Sequence, residues 1–153
     1  MDGSTQALLP YTMEYLFSIT ARVFEPQMIG ATPEGGRAFY PVAEATLDGP
    51  RLKGKVLPGS GGDWLTMRSD GIQVIDVRAT VLTDDGVLIY SSYSGFGELG
   101  DAPGRAKVMP IRATARYQTG HPKYAWLNRL HCLHIGEAEV GKLRLRYDVY
   151  ALR

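Results

Sequence analysis

The chain has one cysteine, Cys132, among its 153 residues, so no disulfide can form within it. It has three histidines, His121, His131 and His134, and neither CxxC nor HExxH, so no three or four ligands stand at metal-binding spacing. A GxxxxGK phosphate loop and a GxSxG nucleophile turn are missing, and the glycines of PGSGGDW are not followed by a helical pattern, which excludes a dinucleotide fingerprint. No apolar run approaches the roughly 18 residues of a membrane-crossing helix. The start, MDGSTQALLPYTMEYL, lacks the basic and then apolar segments of a secretory leader. Charge of one sign is missing too, since 17 basic and 16 acidic side chains leave a net +1 and no broad field to steer nucleic acid. The expectation is a cytoplasmic protein with no metal or organic cofactor, and with neither nucleic acid nor membrane as partner.

What the chain has is alternation. Along Gln73–Leu82 the odd positions Ile75, Val77, Ala79 and Val81 are apolar, while the even ones include Asp76, Arg78 and Thr80. A period of two is the mark of a strand with two unlike faces. The same pattern predicts strands over Met13–Val23, Arg37–Leu47, Leu52–Leu57, Trp64–Arg68, Val87–Tyr93, Ala106–Tyr117, Leu130–Ala138 and Lys142–Ala151. Pro41 removes a backbone donor from the second of these and places an edge, bulge or break there. Ser69-Asp70-Gly71 and Asp84-Asp85-Gly86 read as hairpin turns. Glu25–Gly36, with two prolines and three glycines, reads as a connection, and Pro58–Gly62 as a loop needing φ > 0. Gly95–Gly104, with four glycines, reads as a mobile loop and possible lid, and Tyr124–Asn128 as a helical turn. Strand signals at this spacing with almost no helix predict one antiparallel barrel or sandwich. Residues 1–12 are expected to be a lead-in and residues 13–153 the single domain.

The candidate chemistry is acidic and aromatic. Asp76 and Arg78 share one strand face, Tyr90 and Tyr93 lie on opposite faces of the next strand, and Asp63 and Trp64 follow the glycine loop. Tyr124, Trp126 and Asn128 lie in a turn-rich segment near His121. Around one barrel mouth, a carboxylate would take a proton, a tyrosine donate one and an arginine hold an oxyanion. Asp76, Arg78, Glu44 and Tyr90 are therefore the expected catalytic groups. Asp63, Trp64, Tyr93, His121, Tyr124, Trp126 and Asn128 are the expected substrate contacts. Each has a plainer reading beside it: Asp76 and Arg78 as a solvated ion pair, Asp63 as a turn acid, the tryptophans as core plugs, Glu44 as a solvent-facing strand residue. His131 and His134, three apart in a strand, point to opposite faces, and Cys132 reads as a small buried hydrophobe.

The order and spacing of several segments resemble a known family. They are Gly30 with Gly36-Arg37, GPRLKG at Gly49–Gly54, VLPGSGGDW at Val56–Trp64, RSDG at Arg68–Gly71, and DVR at Asp76–Arg78. TDDGVLIY at Thr83–Tyr90, Gly95, and TGHPKYAWLNR at Thr119–Arg129 complete the series. Together they are similar to domain-of-unknown-function family 3237, found in bacteria and fungi. The resemblance implies an antiparallel β-barrel of calycin or allene-oxide-cyclase type, assembled into small homo-oligomers such as dimers or trimers. It implies no general activity. This chain has Glu44-Ala45 where the family tends to have paired glycines, and one residue more in the loop before Asp63.

Three functions fit a barrel with a central cavity. The first is a cofactor-free enzyme doing proton-transfer chemistry (isomerisation, cyclisation, elimination or lactone-type) on a small, partly aromatic or polyketide-like molecule. The second is a barrel that binds such a molecule unchanged. The third is a structural subunit with a filled interior.

Overall fold

The computed structural model describes residues 6–99 and 108–153. It contains ten strands: β1 (Met13–Val23), β2 (Gln27–Thr32), β3 (Gly35–Asp48), β4 (Lys53–Val56), β5 (Gly62–Met67), β6 (Ile72–Thr83), β7 (Leu88–Glu98), β8 (Val108–Gln118), β9 (His131–Glu139) and β10 (Arg144–Leu152). Two short 3₁₀ segments, Pro122–Arg129 and Val140–Lys142, are the helical pieces among the described residues. The strands pair in the order β1-β10-β9-β8-β7-β6-β4-β3, and β3 pairs back onto β1 to close the wall of an antiparallel barrel. Closure satisfies the backbone groups that an open sheet would leave at its edges.

One of the eight positions around the wall is shared. β4 bridges the far end of β3 to the far end of β6, while β5 bridges the near end of β3 to the near end of β6. Between them the PGSGG segment is stitched to both neighbours. Leu57 N–H donates to the Thr80 carbonyl at 2.8 Å, Thr80 N–H donates to Ser60 Oγ at 3.1 Å, and Val42 N–H donates to the Gly61 carbonyl at 3.2 Å. Only Gly59 in this segment has positive φ, at 75°. Gly61 and Gly62 serve close approach instead: a Cβ on Gly61 would stand 1.8 Å from the Arg78 carbonyl oxygen.

The sequence-expected connection Glu25–Gly36 contains a strand, β2. Its pattern was hidden because Met28 and Ile29 are both exposed across an irregularity in its pairing with β3. β2 continues along the same edge of β3 that β1 occupies further on. The expected loop Gly95–Gly104 is also corrected in part. Gly95–Glu98 completes β7, where Gly95 lets β8 come close, while 100–107 lie outside the described residues.

Inward faces are set by parity. Phe17, Ile19, Ala21 and Val23 of β1 point in, as do Ile75, Val77, Ala79 and Val81 of β6, and the alternate residues of β8 and β10. In β3 the parity changes. Ala38, Tyr40 and Val42 face inward, then Ala45 and Leu47 do. The cause is a bulge: Arg22 pairs with Glu44 but Val23 pairs with Val42, leaving Ala43 as the extra residue. One end of the barrel is packed solid. There Phe17 meets Tyr117 edge-to-face at 5.3 Å, and Tyr124 and Leu127 of the 122–129 segment sit in the core as a stopper. Truncating Phe17, which is fully buried, would cost about 3–5 kcal/mol.

Candidate active site in the barrel

The other end is hollow. A cavity of about 130 Å³ lies inside, lined mainly by aliphatic side chains of β1, β3, β6 and β8. Its rim is formed where β1 ends at Val23, β6 begins near Gln73, β7 ends near Leu99 and β10 begins at Arg144. Glu139 and Arg144 line it there, 3.7 Å apart. A cavity of this size is comparable with the roughly 150 Å³ engineered cavity that accepts benzene.

Few polar groups reach this space, and one is a carboxyl. Asp63 on β5 faces inward, and its Oδ1 accepts the backbone N–H of Asp76 at 2.9 Å. Burial raises its pKa to about 6; the Asp76 N–H pulls it back, and the Asp76 charge pushes it up further. Four tyrosines line the same space: Tyr40, Tyr93, Tyr117 and Tyr147. Burial raises the pKa of all four, and the charge of Asp63 adds to the effect at Tyr40, Tyr93 and Tyr147. All four therefore remain protonated donors at neutral pH. Tyr93 and Tyr147 stand edge-to-face at 5.4 Å.

Behind the tyrosines lies His134, with no exposed surface. Its ring packs 4.3 Å from that of Tyr93 and 5.0 Å from that of Tyr147. Its Nε2 is 2.6 Å from the Tyr117 hydroxyl. Burial holds its pKa down to about 3, so it is neutral at ordinary pH.

Of the sequence-expected site residues, the structure brings Asp63 and Tyr93 to the cavity. The polar strand faces turn outward, and this is the main correction. Asp76 and Arg78 lie on the outer wall, 3.8 Å apart, with 45% and 62% of their side-chain surface exposed. Tyr90, on the same outer parity, is exposed. The Ala43 bulge turns Glu44 outward as well, where it meets Arg22 at 3.5 Å. Trp64 stacks on Phe39 outside, with ring centroids 4.4 Å apart.

The remaining candidates belong to the stopper at the closed end. His121 Nδ1 accepts the Lys123 N–H at 3.1 Å and caps the helical turn. Asn128 accepts the Thr119 N–H and donates to its carbonyl, both at 2.9 Å. Tyr124 donates to Asp85 at 2.7 Å, and Arg51 covers the Trp126 ring at 3.8 Å. Sequence reasoning missed Tyr40, Tyr117, Tyr147 and His134. The signal that finds them is parity: each stands in register with the apolar set of its strand. Among the described residues, no group of three or more His, Cys, Asp and Glu side chains is placed to hold a metal, and no helix is long and apolar enough to cross a membrane.

Residues 11–152 match the family model described as Protein of unknown function (DUF3237). The chain belongs to this family. A UPF0311 protein of Rhodopseudomonas palustris strain TIE-1 is 31% identical over 146 residues, covering 90% of this chain and 94% of its own. Another UPF0311 protein, from Bradyrhizobium diazoefficiens, is 32% identical over 123 residues, covering 74% and 80%. Among solved structures, a β-barrel-like protein from Acinetobacter baumannii superposes with a TM-score of 0.85 at 28% identity, over 97% of this chain and 100% of that one. A protein from Penicillium herquei described as an enzyme superposes at 0.74 with 19% identity, over 98% and 100%, a likeness of fold alone.

Proposed function

We propose that this barrel is an acid–base enzyme acting on a ring-sized, largely apolar molecule, with Asp63 as the proton carrier. The observation that carries the reading is the Asp63 carboxyl, set deep in an apolar, tyrosine-lined cavity away from the Glu139–Arg144 pair at the rim, with its pKa raised to about 6. A group with a pKa of about 6 is ionised enough at pH 7 to take a proton and basic enough to be useful in doing so. The tyrosines, held protonated, suit the oxygen on which charge develops. The step is proton removal from carbon beside a carbonyl: the C–H electron pair moves to the oxygen as an enolate, and Asp63 becomes the acid. Return of that proton to another carbon completes an isomerisation; alternatively the enolate carbon adds to a second carbonyl of the same molecule, whose C=O π pair moves to oxygen and takes the proton back from Asp63, closing a ring. The aliphatic wall keeps water away from both partners. The fold-level likeness to a fungal protein described as an enzyme supports this reading.

Solvent exchange tests it. In D2O, the wild type should speed deuterium uptake into 2-cyclohexenone and acetophenone, read by NMR, with a rate that rises through about pH 6. Asp63→Asn should lower the rate by about 10²–10⁴-fold while the protein stays folded. Binding without exchange would make the protein a carrier of such molecules, and equal rates in the two proteins would remove Asp63 from the chemistry.

A further inference from the structure

The buried imidazole has one polar atom without a partner. His134 Nε2 meets Tyr117, but among the described residues His134 Nδ1 has no hydrogen-bond partner. A neutral imidazole carries one N–H and one lone pair, and two assignments are open to it. With the proton on Nδ1, Tyr117 donates to Nε2 and a buried N–H is left without an acceptor. With the proton on Nε2, the imidazole donates to the Tyr117 oxygen and only a lone pair is left over. Unpaired buried N–H groups are the rarer defect in folded proteins. The second assignment also frees the Tyr117 hydroxyl proton. His134 is the phenol's hydrogen-bond partner among the described side chains, and Tyr117 lines the cavity. The proton therefore has the cavity's occupant to go to.

We infer that His134 fixes Tyr117 as a hydrogen-bond donor to the carbonyl oxygen of a neutral cyclic ketone or enone held in the barrel. The inference deepens the acid–base reading and rests on it for the identity of the ligand. The ligand is neutral because, among the described residues, the charged group lining the deeper cavity is the Asp63 carboxyl, while Arg144 lines the rim beside Glu139. A carboxylate carried inward would face Asp63 without a counter-ion. The ligand offers a carbonyl because a phenol relieved of its own acceptor seeks an oxygen lone pair. His134 is then a positioning residue: it touches Tyr117, not the ligand.

The test has two independent readouts on the whole protein. Long-range ¹H–¹⁵N NMR assigns the His134 tautomer, with the proton expected on Nε2. Infrared spectroscopy of carbonyl-labelled 2-cyclohexenone follows the hydrogen bond directly. Its C=O band should move to lower wavenumber on binding the wild type. Tyr117→Phe should lose that shift and bind roughly tenfold more weakly, the loss of one hydrogen bond. His134→Gln, whose amide N–H can replace Nε2–H, should keep the shift, and His134→Leu should diminish it. A proton on Nδ1, an equal band shift in wild type and Tyr117→Phe, or failure of the folded wild type to bind cyclohexenone would overturn the inference. The carbonyl shift and the deuterium exchange, both read on the wild type, separate the two readings. A carbonyl shift that persists without any deuterium exchange in the wild type removes the catalytic reading alone, and exchange without the shift removes this one.

Discussion

The carboxylate of Asp63 accepts the backbone N–H of Asp76 at 2.9 Å, so the acid inside the barrel is tethered by a residue whose own side chain points out of it. The tether makes Asp63 a fixed part of the wall. It also couples the two faces, because the Asp76 charge outside helps to raise the pKa inside.

The Asp63 shift gives stability a pH dependence with a definite sign. Its pKa rises from 3.8 to about 6 on folding, so between those values the folded protein holds the proton more tightly. Stability is therefore full below about pH 4, falls as pH rises towards 6, and stays lower above it, by an amount on the order of 3 kcal/mol. Asn at 63 keeps an acceptor for the Asp76 N–H and carries no charge. Urea denaturation should find Asp63→Asn more stable than wild type at pH 7.5 and nearly equal to it at pH 4. A variant less stable at pH 7.5 would contradict the burial of this charge.

Asp85 should behave in the opposite sense. It accepts from Thr83, Lys123 and Tyr124, and these bonds hold its carboxyl well below the ordinary 3.8. The stability it contributes is present above about pH 4 and is lost as pH falls through the depressed folded value. Asp85→Asn should lower Tm at pH 7, with the gap narrowing under acid conditions, because it loosens the 122–129 stopper. A gap that does not change with pH would mean the ionised form is not what matters.

Arg78→Ala removes one partner of an exposed pair on the outer wall. Its stability should stay within about 1 kcal/mol of wild type, and its affinity for 2-cyclohexenone should not change. Loss of ring binding in this variant would bring the outer face back into the site.

Glycines of the β4–β5 seam should divide by cause. Gly61→Ala drives a Cβ into the Arg78 carbonyl and should cost about 3 kcal/mol or more. Gly59→Ala meets nothing within 4 Å and strains only a φ of 75°, for about 1 kcal/mol. Thermal melts of the two variants should rank in that order, and the reverse order would show the seam to be loose.

Much of the barrel was legible in the chain because half-buried strands carry their period openly, as Ile75–Val81 does. Four features were not. β2 has no alternation to read, since its side chains serve no common interior. The inward face was also undetermined: in β6 the period is the same whether the apolar set fills a core or lines a hollow, and the charged set attracted the functional reading. Asp63 was legible as a residue but not as the interior acid, since its orientation follows from β5 pairing with β3 and β6 at once. The Tyr117–His134 contact joins residues 17 apart on neighbouring strands, a relation only register supplies.

The stopper of Tyr124 and Leu127 has a consequence for traffic. With that end stoppered, the rim at Glu139 and Arg144 serves as both entrance and exit. A product must back out along its own entry path before the next molecule arrives, and any water needed in the chemistry must already be inside. A molecule too long for the cavity can present only one end, with the remainder trailing outside past Glu139 and Arg144. Selection in such a vessel falls on the head group, and substrates that share one ring while differing in their tails should be handled alike.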